Sequence, residues 1–390
     1  MSDGVLVLNA GSSSIKFALY QECADGGLAP QVHGQVEGLR STAQLHIDTG
    51  GGDQVTEMPP GSDHESALQA VLDAVDRHLG GIEIRGVGHR IVHGGREHHA
   101  PAVIDEALLE ALRELEPLAP LHQPHNLAAV AALMRTAPEL PQVACFDTAF
   151  HRTQPAVAQR FALPREYEQR GVLRYGFHGL SYEYIAERLP AYDERAAAGR
   201  TVVAHLGSGA SMCALHGGRS VATTMGFTAL DGLPMGQRCG NLDPGVVLHL
   251  MRQEGLSADE IEALLYRRSG LLGVSGLSAD MQVLLESDAP EAAEAVALFC
   301  YRAVREIGGL AAALGGLDAL VFTAGIGEHA PTVRARILGA LEWLGLRLDP
   351  QANSAGGPRI TTADSPVSAW VVPTDEERII AGHTEALLRG

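Results

Sequence analysis

The chain has 390 residues, 46% of them hydrophobic, which is long for one domain and enough to bury two cores. Acidic residues outnumber basic ones, 47 against 29, for a formal net charge of −18. Such a field repels phosphate backbones, so nucleic acid is excluded as the expected partner and an anionic ligand needs a locally basic pocket. The longest apolar-looking run, residues 308–317, is short and rich in Gly and Ala, so no span of a membrane is expected. The N-terminal residues lack the basic start and long apolar core of a signal peptide. The cysteines, Cys23, Cys145, Cys213, Cys239 and Cys300, contain no CxxC pair, and the expected setting is a reducing cytoplasm.

Strand-like runs alternate with helical patterns along the chain. Residues 5–8, 143–146, 201–206 and 320–323 read as buried strands and residues 65–79 as a helix, which together indicate an α/β protein. The segment TGGGD at 49–53 reads as a surface turn, and residues 190–199 as a polar, Ala-rich end to a helix just before the next buried strand.

The chain also repeats itself. Residues 5–19 read VLVLNAGSSSIKFAL and residues 201–215 read TVVAHLGSGASMCAL, an ungapped match in which Gly11 falls on Gly207, Ser12 on Ser208, Ala18 on Ala214 and Leu19 on Leu215. Each copy predicts a buried strand, a Gly/Ser turn and a second strand. Two unrelated β-turns would use the same residues, but an offset of half the chain favours two copies of one α/β lobe. Facing each other, two such lobes would form a cleft with a Gly/Ser loop on each wall, whose N–H groups and hydroxyls can hold phosphate oxygens.

The polar residues fall on these turns and strand ends. If residues 12–16 are extended, Ser12, Ser14 and Lys16 share a face and aim donors and one cation together; the spacing is not that of a P-loop. In GVGHRIVHGGR (86–96), Arg90 sits between an apolar run and a Gly-Gly turn, where a guanidinium can grip a carboxylate or phosphate, or form a surface ion pair. His89, His93, His98 and His99 raise a zinc reading that the glycine-rich setting disfavours. Asp147, in FDTAFH (146–151), follows a strand, either as a ligand-binding acid or as a helix cap. His178, in YGFHG (175–179), is a phosphoryl donor or a structural turn histidine, and Arg238, in MGQRCGNLD (235–243), is a second candidate cation beside a packing Cys239. VFTAGIGE (321–328) reads as a strand entering a Gly-rich turn. PTDEERII (373–380) opens the last helix with Thr374 as cap and Asp375, Glu376 and Glu377 in its first turn, where acids suit the helix dipole.

These segments, in order and across essentially the whole chain, resemble the signatures of the acetate kinase family: LVLNAGSSSIKF, GHRIVHGG, FDTAFH, YGFHG, HLGSGAS, the MGxRCG pattern, TAGIGE and TDEE. The resemblance implies the duplicated acetate and sugar kinase/Hsp70/actin fold, which is ribonuclease H-like, with two lobes and a central cleft. It implies an N-terminal lobe of residues 1–150, joined by a C-terminal helix of about 378–390, and a nucleotide-binding lobe of residues 151–377. The implied reaction is reversible phosphoryl transfer from ATP to acetate by a homodimer that uses magnesium, with manganese able to substitute. Carried over by position, Asn9, Ser12, Ser14 and Lys16 lie near phosphate, and Asn9 and Glu376 near the metal. Arg90 and Arg238 surround the carboxylate and the moving phosphoryl, His178 is a transition-state donor, and Asp147 orients substrate or metal. Val92, Leu121, Phe177 and Ala229 line the acyl pocket. His205, Gly207, Ser208, Gly209, Asp280, Gln282, Gly325, Ile326, Gly327 and His329 hold the nucleotide.

Such a reaction needs no strong base, because a carboxylate is already a nucleophile at neutral pH; the difficulty is to bring two anions together while charge spreads over the phosphoryl group. Two arginines, a histidine and magnesium supply that stabilisation, and Arg90→Ala and Arg238→Ala are each expected to collapse turnover with the fold intact. The sequence departs from the family pattern at Ser208 and His329, where Asn is usual, at Gln282, where Arg is usual, and at Ala229, where Pro is usual. The first three are expected on the nucleotide side. Alanine at 229 widens the acyl pocket, so propionate or butyrate can compete with acetate, each extra methylene being worth about 1 kcal/mol. A non-catalytic nucleotide-binding regulator on the same fold is the rival from another class, and the retained charged residues argue against it.

Overall fold

A computed structural model describes residues 2–11, 14–23, 27–39, 42–50 and 52–389. The chain divides into two compact units, Met1–Ala149 with Asp375–Gly390, and Phe150–Thr374.

In the first unit the strands are β1 (Ser2–Ala10), β2 (Ile15–Glu22), β3 (Leu28–Glu37), β4 (Gln44–Asp48), β5 (Asp53–Glu57), β6 (Ile82–Ile91), β7 (Ala102–Val103) and β8 (Gln142–Phe146). They form one sheet in the order β5-β4-β3-β2-β1-β6-β8-β7. β1 and β2 are an antiparallel hairpin, whereas β1, β6 and β8 run parallel. Parallel strands need cover on both faces, and β8 is buried at every position. One cover is the helix His64–His78, which buries Ala67, Leu68, Val71, Ala74 and Val75 at helical spacing and starts from a capping box of Asp63 and Ser66. The other is the C-terminal helix Glu376–Arg389, which returns to lie on β6.

Two glycines explain that return. A Cβ at Gly86 would collide with Leu388, and one at Gly88 with Thr384 and Ile380, so the GVG of β6 is the bare strip on which the helix rests. Asp375 belongs to the same unit, its carboxylate accepting the Tyr20 hydroxyl at 3.3 Å. Residues 375–377 therefore sit with the first unit rather than at the end of the second, which moves Glu376 out of the segment in which the sequence placed it.

The second unit carries β9 (Arg200–Leu206), β10 (Ala210–His216), β11 (Arg219–Thr223), β12 (Ala319–Thr323) and β13 (Ser368–Val371), in the order β11-β10-β9-β12-β13. The central five strands of the first sheet, β3-β2-β1-β6-β8, have the same pattern of an antiparallel meander followed by two parallel strands. This is the duplicated ribonuclease H-like α/β architecture. The copies differ at their turns: Ala10 pairs with Ile15, but Leu206 pairs with Ala210. The ungapped repeat therefore slips by one residue beyond the second turn.

Three local expectations need correction. Residues 324–329 are a helix, not a turn, because Ala324 turns the corner alone at φ 64°. Its N–H donates to Glu328 at 2.8 Å, and Gly327 faces Phe322 of β12 and the Ala204 carbonyl of β9. Residues 190–199 hold a short helix of their own, Glu194–Ala198, capped by Asp193. Finally, Thr374 does not cap the last helix: Asp375 accepts the Arg378 N–H at 3.0 Å, while the Thr374 hydroxyl meets Ser181 at 2.9 Å. The five cysteines are free thiols, and among the described residues no helix is long and apolar enough to cross a membrane.

Candidate active site

Because β1, β6 and β8 run parallel, their carboxyl ends share one edge of the first sheet, the edge at which α/β proteins collect ligand-binding groups. Asn9, Arg90 and Asp147 meet there. Arg90 donates from Nε to both Asp147 oxygens, at 3.2 and 3.1 Å, and from Nη2 to Asp147 Oδ2, and from Nη1 to Asn9 Oδ1 at 3.2 Å. Glu376 Oε2 lies 3.9 Å from Arg90 Nε. The Arg90 side chain is 16% exposed and that of Asp147 1%, so this is a buried ion pair and not a surface one. Burial works against the Arg90 charge, and the Asp147 and Glu376 carboxylates more than restore it, holding its pKa above the ordinary value.

Glu376 is the group most perturbed by this company. Burial pushes its carboxyl up to about 7; Arg90 and Lys16 pull it down, and Asp147 and Glu377 push it further up. The sign of the linkage follows. A carboxyl whose folded pKa lies above its ordinary 4.5 favours the fold while protonated, so that stability is present below about pH 4.5 and is lost as pH rises to about 7. Denaturant midpoints measured between those limits are expected to fall with rising pH in the wild type and to flatten in Glu376→Gln; equal slopes in the two proteins would show that Glu376 does not carry the effect.

Gly11 N–H closes on the Ser14 carbonyl at 2.8 Å, so Ser14 lies in the turn, and Ser12 lies outside the described residues. Lys16 shares its sheet face with Asn9, its direct partner in the β1–β2 pairing. The zinc reading finds no support: His89 bonds Gln142 at 2.8 Å, His93 Nδ1 accepts the Gly95 N–H at 2.9 Å, and His98 stacks on Phe146. Among the described residues no group of three His, Cys, Asp or Glu side chains could hold a metal.

Sequence reasoning missed the residues that hold these loops in place. The helix Gln123–Thr136 turns two buried amides, three residues apart, onto them. Asn126 accepts the Val92 N–H at 3.0 Å and donates to the Ala10 carbonyl, and Gln123 pairs with both backbone groups of His93, at 3.0 and 3.1 Å. His64 Nε2 donates to the Gly11 carbonyl at 2.8 Å and its ring stacks on His125. The usable signal was the QPHN run at 123–126, a proline in a first helical turn with two amides on one face. Leu121 lies just before this helix, and Val92 is buried beneath it.

In the second unit His178 opens the helix Gly179–Arg188 in the left-handed region, at φ 59°, a conformation a non-glycine residue holds only when its surroundings fix it. The surroundings do so. The His178 ring stacks on His205 with centroids 4.3 Å apart, and its Nδ1 is 2.8 Å from Ser211 Oγ, which lies 2.5 Å from the Tyr182 hydroxyl. His205 in turn meets Ser181 at 2.8 Å. Buried His151, whose pKa burial lowers to about 4, donates from Nε2 to the Phe177 carbonyl at 3.0 Å. Arg238 donates from Nη1 to the Ala229 carbonyl at 3.0 Å. Gly209 passes against both side chains: a Cβ there would stand 3.4 Å from His178 Nε2 and 3.8 Å from Arg238 Nη1.

A cavity of about 510 Å³ opens beside this group, lined by Gly207, Ser208, Asp280, Gln282, Gly325, Ile326 and His329 among others. His205 and Gly209 turn toward His178, and Gly327 packs inward. Asp280 also caps the helix Met281–Glu286, its Oδ1 accepting the Gln282 N–H at 2.7 Å. Residues 4–382 match the model of the acetokinase family. The chain belongs to the acetokinase family.

Its relatives match it end to end. It is 54% identical over 405 residues to the acetate kinase of Rhodopseudomonas palustris, with both chains fully covered. To that of Methylocella silvestris it is 50% identical over 398 residues, covering 100% of this chain and 98% of the relative. Among solved structures, a propionate kinase from Francisella tularensis superposes with a TM-score of 0.90 at 34% identity, covering 98% of each chain. Porphyromonas gingivalis acetate kinase does so at 0.87 and 37%, covering 99% of this chain and 100% of that one. As an acetokinase the chain is a kinase. Three of its departures from the family pattern, Ser208, Gln282 and His329, line the one 510 Å³ cavity, and the fourth, Ala229, supplies the carbonyl that seats Arg238.

Proposed function

We propose that this kinase transfers phosphoryl reversibly between ATP and acetate, giving acetyl phosphate and ADP by in-line attack of the carboxylate on the γ-phosphate. The observation that carries the reading is the pair of prepositioned cations, Arg90 locked to Asp147 and Arg238 seated on Ala229 beside His178. Positive groups held in place before charge develops are usually the largest catalytic contribution. The second unit's cavity takes the nucleotide, with Ser208, Gln282 and His329 on its wall. The first unit's strand edge takes the acid. Val92, Leu121, Phe177 and Ala229 contact the acyl chain, and Asn9, Ser12, Ser14, Lys16 and the Gly207–Gly209 turn contact phosphate oxygens.

Arg90 orients the acid carboxylate, and Asp147 fixes the plane of that guanidinium by taking two of its donors. His178, its ring orientation held by Ser211 and His205, donates a hydrogen bond to a phosphoryl oxygen. Arg238 neutralises the charge spread over that group. Asn9 and Glu376, with Asp147, form an oxygen donor set of the kind magnesium takes alongside nucleotide phosphates, and burial, which raises the Glu376 pKa, leaves a carboxyl that a bound cation would draw to its ionised form. Magnesium or manganese there supplies charge neutralisation to the phosphates. Added magnesium is accordingly expected to restore, at pH 7 and above, part of the stability lost between about pH 4.5 and 7. The working form is taken to be a cytoplasmic homodimer.

The test is hydroxamate trapping of acyl phosphate by the purified protein with Mg-ATP and acetate, propionate or butyrate, and with pyrophosphate as the other donor. Turnover with ATP, highest with acetate, is the expected result. A higher rate with propionate or butyrate would assign the site to the longer acid, as the smaller side chain at Ala229 allows. No product from any combination would leave the nucleotide-binding regulator as the better reading.

A further inference from the structure

Of the 29 Lys and Arg residues in the chain, only Lys16 is a lysine. The distinction is chemical: a guanidinium stays protonated and does not take up acyl groups in water at neutral pH, whereas a lysine amine can. The single acylatable side-chain amine lies at the candidate site. Lys16 stands opposite Asn9 in the β1–β2 pairing and is exposed. Asn9 is bonded to Arg90. The same side chain lines a cavity of about 640 Å³ whose wall includes the carboxylates of Asp48, Asp375 and Glu377.

We propose that Lys16 is a self-acylation site, at which the acyl phosphate made by this enzyme transfers its acyl group to the Lys16 amine and so silences the catalytic edge. This rests on the reaction proposed above. The neutral Nζ attacks the acyl carbonyl carbon, a C–N bond forms, the C–O bond to phosphorus breaks, and inorganic phosphate leaves with the electron pair. The amine proton passes to water or to a neighbouring carboxylate. No oxidant or further reactant is needed. An acyl phosphate formed at the edge that holds Asn9 and Arg90 meets Lys16 at far higher effective concentration than any amine in bulk solution. The amide product has no charge, so the strand edge loses the cation that stands opposite Asn9.

The experiment uses the intact protein in two arms, one given acetyl phosphate and the other Mg-ATP with acetate. Each sample is treated with hydroxylamine, which strips thioesters and esters but leaves amides, then read by intact mass, peptide mapping and residual turnover. The expected result is one hydroxylamine-stable acetyl group per chain, mapped to Lys16, with turnover falling in step by about a hundredfold at full occupancy. Lys16→Arg is expected to carry no such label on an internal peptide. Label absent from Lys16 in both arms, or full occupancy with unchanged turnover, would overturn the proposal. Label from acetyl phosphate but not from Mg-ATP with acetate would leave the site standing and reject the kinase reaction as its source.

Discussion

Arg90→Ala is expected to lower turnover by about a hundredfold to a thousandfold and also to destabilise the first unit by about 3–5 kcal/mol. The second effect is one the sequence did not suggest. Asp147 is buried, and Arg90 is bonded to both of its oxygens. Removing the guanidinium leaves a buried carboxylate with no cation beside it, and breaking such a pair costs far more than the pair itself contributes. Arg90→Ala/Asp147→Asn removes the orphaned charge, so this double variant is expected to recover most of the lost stability and none of the lost turnover. Urea midpoints of the single and double variants, set against their rates in the hydroxamate assay, separate the two roles. An Arg90→Ala protein with the wild-type midpoint would show that the pair does not hold this edge together; an undiminished rate would remove Arg90 from the mechanism.

The sequence made the strands and the repeat legible because both are written in local pattern. Residues 5–8, 143–146, 201–206 and 320–323 all lie within observed strands, since a run buried on both faces is predominantly apolar. The hairpin turns showed for the same reason. What did not show depends on chain segments far apart. Nothing near Gly86 and Gly88 announces that a helix nearly three hundred residues later needs a bare strip there, and so Glu376 was assigned to the wrong segment. The Arg90 pair was invisible likewise, because Asp147 reaches it only through the parallel register of β6 and β8. Ser14 closes the first turn by accepting the Gly11 N–H, while Ser12 lies outside the described residues. The nucleotide-side residues came from resemblance alone, and gaps of tens of residues separate Ser208, Gln282 and His329 in the sequence although they line one cavity.

Arg238→Ala is expected to cost as much turnover as Arg90→Ala, about a hundredfold to a thousandfold. Arg238 donates to the Ala229 carbonyl and approaches the Met235 sulfur at 3.6 Å. Releasing a backbone carbonyl at a part-exposed position costs about 1 kcal/mol, the usual net worth of one hydrogen bond. Arg238→Lys keeps the charge but cannot keep both the Ala229 contact and a forked grip on a phosphoryl group, because an ammonium is a point charge without the planar geometry. It is expected to recover only part of the rate. The loss should fall on kcat more than on the KM for nucleotide, since the positive charge matters most once the phosphoryl group has begun to leave. Free guanidinium added to Arg238→Ala is expected to restore some turnover, as it can enter the seat below Ala229 without any refolding. A loss confined to KM, with kcat unchanged, would make Arg238 a binding residue and leave His178 as the second unit's contribution to the transition state.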